Sequence, residues 1–228
     1  MNARPGLAQT KMTVDVVVFT LEGDTLKVLL IKRASEPFMS RLALPGGFLW
    51  EGETTQEAAA RILHDKAGTD VPEHVFMEQL YTFDDPARDP RGRVVSVTYY
   101  ALVPRHRLQI EEGENTEAPA LYEIHKLKGL AFDHARIISY AVGRLQAKLA
   151  YTNAAYSLLP ERFTFSQLQR LYEVILDRQL DKRNFRKKYL SLGLIESTNE
   201  RVSGGRHRPA ELYRFRAMTP TELSEPAL

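Results

Sequence analysis

Cysteine does not occur in the 228-residue chain. Its absence excludes a disulfide framework and any thiolate metal site. No apolar run reaches the roughly 20 residues that a membrane-spanning helix needs. The opening segment, MNARPGLAQTKMT, lacks the apolar centre of a secretory signal. Net charge is also nearly absent: 31 Lys and Arg face 29 Asp and Glu, a formal balance of +2. There is no internal repeat and no low-complexity tract. A soluble cytoplasmic protein of one large or two modest domains is the expectation.

Charge is present, but unevenly placed. Residues 1–150 hold 18 Lys and Arg against 20 Asp and Glu, whereas residues 182–216 hold ten against three. A local cationic excess of this size suits a polyanion-binding surface. A solvated basic face without a partner is the plainer alternative.

Hydrophobic patterning divides the chain. VDVVVFT (14–20) and LKVLLIK (26–32) flank Glu22-Gly23-Asp24 and predict a strand pair. LALPGG (42–47) predicts a strand end breaking into a glycine loop. A helical period over 54–67 puts Ala58, Ile62 and Leu63 on one side. Strands are predicted over 75–83 and 93–103, and an acidic loop from Glu111 to Pro119. Ile138, Ala141, Leu145 and Leu149 mark a long helix over 134–151. Leu159-Pro160 is the clearest break after that helix, so the domain boundary is expected within 150–160, giving domains 1–152 and 153–228.

The second domain reads as helix, helix, hairpin. Thr164 and Gln167 open the first helix, and Asp177 to Leu180 is the turn. Asp181 caps the second helix, whose Phe185, Tyr189 and Leu192 face inward and whose Lys182, Arg183, Arg186 and Lys187 face outward. Gly193 stops it. LIEST and ELYRFR then pair around a basic tip, and the last ten residues read as a loose tail. This is the order of a winged helix-turn-helix, in which the second helix enters the major groove. Cations in the first turns of that helix oppose the macrodipole, by a few tenths of a kcal/mol on the usual scale, and contact with phosphate would offset this. Arg and Asn also read guanine and adenine edges. Thr164, Gln167, Lys182, Arg183, Asn184, Arg186, Lys187 and the wing-tip residues Arg206, His207 and Arg208 are the DNA-binding candidates.

In GGFLWEGETTQEAAARILHDKAGT (46–69), the residues Gly47, Glu53, Arg61, Leu63 and Gly68 fall in register with the Nudix box, G-x5-E-x7-R-E-U-x-E-E-x-G-U, where U is bulky and apolar. The segment therefore resembles the loop-helix-loop of Nudix hydrolases. The glutamates expected after the arginine are replaced by Ile62, Asp65 and Lys66. Nudix chemistry relies on a divalent metal, and magnesium wants carboxylate oxygens in octahedral array. Ile62 offers no oxygen, Lys66 is itself a cation, and Asp65 reaches less far than Glu. Glu53, Glu57 and Asp65 are weak metal candidates. Glu57 also fits a capping box with Thr54. No catalytic residue and no required cofactor are assigned; residual Mg2+ binding at these carboxylates is the alternative.

Taken with LPGGF (44–48), residues 78–104, 132–152, LDKRNFRKKYLSLGLIEST (180–198) and RPAELYRF (208–215), the chain closely resembles the Nudix-related transcriptional regulators of NAD metabolism (NrtR), over residues ~12–216. The resemblance implies an α+β protein: an N-terminal Nudix-like α/β/α sandwich that senses ADP-ribose, followed by a winged-helix domain. It further implies a homodimeric bacterial repressor on palindromic double-stranded operator DNA, controlling NAD metabolism genes. Related regulators on this architecture sense other metabolites, including sugars. Arg33, Arg41, Arg88 and Arg93 are the cations expected to meet the ligand's phosphates, and Phe48, Tyr81 and Phe83 the aromatics expected to stack on its base. Tyr81 and Phe83 equally suit plain packing, and His134 beside Asp133 suits a helix start better than a catalytic base. Two further readings stay open: an active ADP-ribose pyrophosphatase with an appended basic domain, and a constitutive DNA-binding protein with a Nudix scaffold.

Overall fold

A computed structural model describes residues 9–67, 75–108, 110, 118–202, 209–223 and 226. Gly68 and residues 111–117 of the expected acidic loop lie outside the described residues. Strand β1 (Lys11–Glu22) turns at Gly23, whose φ is +58°, into the antiparallel β2 (Thr25–Lys32). Short strands β3 (Leu42–Ala43) and β4 (Gly46–Phe48) follow, then α1 (Thr55–Ala67), β5 (Phe76–Phe83) and β6 (Val94–Leu102). After β7 (Ala120–Glu123) comes α2 (His134–Tyr151). One sheet holds the seven strands, with the path β3-β2-β1-β6-β5, β4 added on β1 and β7 on β2. β1 and β6 run parallel, from Lys11 beside Val94 to Phe19 beside Leu102.

Alternation along β1 assigns a helix to each face. Val14, Val16 and Val18 pack with Ala58, Ala59, Ile62 and Leu63 of α1. Val17 and Phe19 point the other way, to Ile137, Ile138, Ala141, Leu145 and Leu149 of α2. The domain is thus the expected α/β/α sandwich. On the α2 face the apolar alternation fails at one end. Thr13 lies beside Ser96 and Asp15 beside Thr98, and all four are buried. A polar floor inside a layered core is where a site is to be sought.

The C-terminal domain has β8 (Phe163–Thr164), α3 (Phe165–Leu176), α4 (Lys182–Ser191), β9 (Ile195–Val202) and β10 (Ala210–Phe215). β8, β10 and β9 form a separate antiparallel sheet, as a winged helix requires. Thr164 and Gln167 make a reciprocal capping box at the start of α3, and Asp177 closes it in the left-handed region at φ +51°. Asp181 caps α4 by accepting from the Asn184 N–H at 2.8 Å. Gly193, at φ +66°, ends it. Phe165, Tyr172, Phe185, Tyr189 and Tyr213 form the aromatic centre of the domain.

The junction is packed rather than loose. Residues 152–159 are buried throughout, and one hydrophobic cluster runs from Phe19 through α2 to Phe215. Gln146 of α2 donates to the Ile175 carbonyl of α3 at 2.9 Å, and Arg170 of α3 meets Asp24 of the β1–β2 turn at 3.1 Å. Of the ten residues expected to form a loose tail, 219–223 are instead held in place. Residues 217–223 return to the end of α2, where Asn153 holds them by side-chain hydrogen bonds.

Candidate ligand pocket and nucleic-acid interface

The loop between β5 and β6 is built from two consecutive Asp-Pro turns, DPAR (85–88) and DPRG (89–92). Asp85 accepts from the Ala87 N–H at 2.8 Å and Asp89 from the Arg91 N–H at 2.9 Å. Proline after the aspartate presets the turn, and the carboxylate closes it. The first turn drives Arg88 into the protein. The Arg88 side chain is 4% exposed, and its guanidinium forks onto Asp133 at 2.8 and 3.1 Å and lies 3.6 Å from Asp15. The second turn presents Arg91 beside Phe48 and Phe132, 5.5 Å from each ring centroid.

A third guanidinium comes from the end of β2. Arg33 donates to the Pro37 carbonyl at 2.7 Å and lies 4.8 Å from the centre of the Phe132 ring. Burial and the neighbouring Arg91 pull its pKa down from the ordinary arginine value. Phe132 sits at φ +50°, an uncommon conformation for an aromatic residue that turns its ring between the arginines.

These groups surround a cavity of about 230 Å³ over the polar floor of the sheet, lined also by Thr13, Asp15 and Gly46. Asp15 accepts from the Ser96 hydroxyl at 2.5 Å. The Thr13 hydroxyl is buried without a hydrogen-bond partner among the described residues. Gly46 is required here, because a Cβ would collide with the Asp15 carboxylate. A second cavity of about 390 Å³ opens across Phe132 and Arg88, lined also by Phe38, Pro90 and Arg136. The two share Arg88 and Phe132, and the second falls within the range of ordinary small-molecule sites, about 300–1,000 Å³. Three guanidinium groups and aromatic rings around such a space suit a phosphate-bearing ligand with a flat group to stack.

Sequence-predicted ligand residues divide here. Arg33, Phe48 and Arg88 line the cavity. Arg41 does not; it is exposed and lies over Phe38 at 5.5 Å. Arg93 turns to the Asp84 carbonyl and braces the loop from outside. Tyr81 is half-exposed and packs with Phe83 and Tyr140, away from the cavity. Phe83 is a core residue, 4% exposed. Sequence reasoning does not single out Arg91 or Phe132. The Asp-Pro pairs at 85–86 and 89–90, each closing a turn, are the available signal for Arg91.

His134 is the first residue of α2 and is fully enclosed. Its Nδ1 accepts from the Leu44 N–H at 2.8 Å. Burial lowers its pKa, although Asp15 and Asp133 oppose the shift. The ring is therefore a neutral anchor between the LPGG loop and α2.

The Nudix segment does not fit a catalytic metal. Glu53 is held by Arg61 at 2.7 and 2.9 Å and accepts from the Trp50 N–H. The Arg61 hydrogen bonds keep its carboxyl below the usual range. Glu57 accepts from the Thr54 N–H at 2.8 Å, as a capping box requires. Ile62 is buried against the sheet, and Asp65 and Lys66 are exposed on α1. Among the described residues no three His, Asp or Glu side chains converge as a metal site.

On the other domain, Lys182, Arg183, Asn184 and Lys187 stand exposed on the outer face of α4. Arg186 is different: it donates to the Tyr213 hydroxyl at 2.7 Å and stacks 4.8 Å from the Phe165 ring centre, tying α4 to the wing. The Thr164 and Gln167 side chains are engaged in capping α3. Arg206, His207 and Arg208 lie outside the described residues.

Two family models match: the NUDIX domain over residues 10–141 and the NrtR DNA-binding winged helix domain over residues 155–215. A protein of Acinetobacter baylyi, named ADPR responsive transcriptional repressor NtrR, is 39% identical over 208 residues, covering 90% of this chain and 81% of that protein. The crystal structure of Shewanella oneidensis NrtR complexed with a 27mer DNA superposes with a TM-score of 0.83 at 32% identity, covering 94% of this chain and 98% of that one. The NUDIX domain of the same Shewanella protein, complexed with ADP ribose, is 34% identical with a TM-score of 0.54, covering 63% of this chain and 94% of that one.

Proposed function

Because the chain belongs to the NrtR family of Nudix-domain, winged-helix regulators, we propose that it is a repressor that holds operator DNA through α4 and releases it when ADP-ribose fills the Nudix cavity. The carrying observation is the convergence of Arg33, Arg88 and Arg91 on a cavity whose neighbouring Nudix carboxylates are tied up in structural hydrogen bonds. Guanidinium groups take a pyrophosphate by paired, charge-assisted hydrogen bonds. Phe48 and Phe132 offer faces for the adenine. The ligand is bound without being cleaved, so occupancy can serve as a signal.

DNA is met by Lys182, Arg183, Asn184 and Lys187. Lysines and arginines contact phosphates and fix register; Arg183 and Asn184, in the first turn, are placed to read bases. A palindromic operator asks for a homodimer with its two α4 helices about one DNA turn apart, roughly 34–36 Å. The regulated genes belong to NAD metabolism, whose turnover produces the ligand.

The test is a fluorescence-anisotropy titration of labelled operator, selected from random duplex DNA, with and without saturating ADP-ribose. Operator affinity should fall by the ~5- to 150-fold typical of coupled sites. Equal affinity with ADP-ribose shown by calorimetry to be bound would reject release. No ADP-ribose binding at all would transfer the site to another metabolite, such as a sugar.

A further inference from the structure

The cavity and the α4 surface belong to different domains, so occupancy of one must be carried to the other. Helix α2 begins at the cavity wall and packs on α3 of the other domain. At its N-terminal end, Asp133 is forked by Arg88 and His134 accepts from Leu44, two contacts made to the wall of the cavity. Along its length one face, Ile137, Ile138, Ala141, Leu145 and Leu149, is apolar and buried against the sheet, and Gln146 joins the helix to α3. At its C-terminal end lies Asn153, 1% exposed.

All the hydrogen-bonding capacity that Asn153 shows in its side chain goes to one segment. Its Nδ2 donates to the Ala217 carbonyl at 3.2 Å and the Thr219 carbonyl at 3.0 Å, and its Oδ1 accepts from the Thr221 N–H at 2.7 Å. The backbone adds to the grip: Asn153 N–H donates to the Thr221 carbonyl at 3.2 Å, and Leu223 N–H to the Tyr151 carbonyl at 2.8 Å. Residues 217–221 are the direct continuation of β10, the last strand of the wing. A buried amide with three backbone partners fixes one relative position of the two segments, because any slide would leave a donor or acceptor unpaired.

We propose that Asn153 is the output coupling of the sensor: it converts a displacement of α2, set by occupancy of the arginine cavity, into a displacement of the wing. The inference rests on the functional reading above. A ligand anion that draws Arg88 away from Asp133 frees the N-terminus of α2. A packed helix moves as a unit, so the shift appears at Tyr151–Asn153 and is handed to residues 217–221 without passing through a flexible hinge. Wing and α4 then move together, since Arg186 joins them through Tyr213. Coupling assigned to a chain of contacts must be shown by uncoupling it.

Two variants of the full chain make the test. Asn153→Asp keeps shape and the acceptor for Thr221 but replaces both donated hydrogen bonds with charge facing two carbonyls. Ending the chain after Met218 removes Thr219 and Thr221 while leaving Asn153 intact. For each, ADP-ribose affinity is measured by calorimetry, operator affinity by anisotropy, and operator affinity again at saturating ADP-ribose. The expected result is ligand and operator affinities each within about threefold of wild type, with the ligand-induced loss of operator affinity reduced to under about twofold in both variants. Full coupling retained in both overturns the inference alone. Loss of operator binding in both, with or without ligand, makes the contact a structural staple and also overturns it. Wild-type protein that binds no ADP-ribose overturns the functional reading, and this inference with it.

Discussion

Replacing Arg88 by Met should weaken ligand binding and remove a large share of stability. Arg88 lies between two carboxylates whose side chains are 9% and 15% exposed, Asp15 and Asp133. Removing one partner of a buried ion pair typically costs about 3–5 kcal/mol, because the remaining charge is left without compensation. The lower end applies here. Asp15 keeps its hydrogen bond from Ser96, and Asp133 can regain water at the mouth of the cavity. Met fills most of the space of the arginine stem, so no large cavity term is added. About 3 kcal/mol is therefore expected, measured by urea unfolding with m-values that match wild type. The double variant with Asp133→Asn should recover part of this loss, since one uncompensated carboxylate is gone. ADP-ribose binding should weaken about 10- to 150-fold, the equivalent of roughly 1.5–3 kcal/mol for a hydrogen bond to a charged group. A stability loss below about 1 kcal/mol would refute the electrostatic account of the cavity floor. So would a double variant whose loss is the full sum of the two single losses, which would mean that Arg88 and Asp133 act independently.

Three further outcomes are expected. Incubated with ADP-ribose and magnesium or manganese, the protein should release no AMP by chromatography at anything near the ~1 per second of ordinary enzymes; such turnover would mean that Glu53 and Glu57 leave their structural partners. Lys182→Ala and Arg183→Ala should weaken operator binding without loss of fold, a phosphate contact lowering the salt slope by about one and a base contact relaxing specificity at one position, whereas Arg186→Ala should also lower stability because it opens the contact between α4 and the wing; wild-type affinity in all three would remove α4 from the DNA surface. Burial lowers the pKa of His134, so the unfolded chain takes up a proton there more readily than the folded one, and stability is complete above the unfolded value near 6.5 and falls as pH drops below it, by at most about 1.4 kcal/mol per unit. His134→Gln should flatten that fall below about pH 6.5, and an unchanged slope would show that the acid sensitivity lies elsewhere.

The order of elements is legible because its signals are local. Val14 to Thr20 and Val94 to Leu102 are β-forming whatever surrounds them, and Thr164 with Gln167 or Thr54 with Glu57 announce a helix start by spacing alone. Strands β4 and β7 carry no such signal. They are short, and only their partners on β1 and β2 define them. Phe83 is ambiguous for a related reason. The register of β5 against β6 shifts between Gln79 and Tyr81, and this lets Leu80 and Phe83 both turn into the α2 core, which strict alternation forbids.

The cavity itself is legible only as a region. Arg33, Arg41, Arg88, Arg91 and Arg93 carry the same fork of donors, and nothing within any of them says which will face a ligand. Position is settled by what captures the others: the Asp84 carbonyl takes Arg93 outward, while the Phe38 ring holds Arg41 at the surface. Those partners are fixed by tertiary structure. The same holds at the junction. Ala217-Met218-Thr219-Pro220-Thr221 looks like a tail because no local pattern requires it to stay, yet Asn153, more than 60 residues earlier in the chain, binds it. A side chain that satisfies the backbone of a distant segment leaves no periodicity in either. It leaves only a polar residue at the end of a helix, where asparagine is common for other reasons. The two features that a sensor needs beyond its fold, a selected set of charges and a rigid connection to its output, are therefore the two that sequence patterning conveys least.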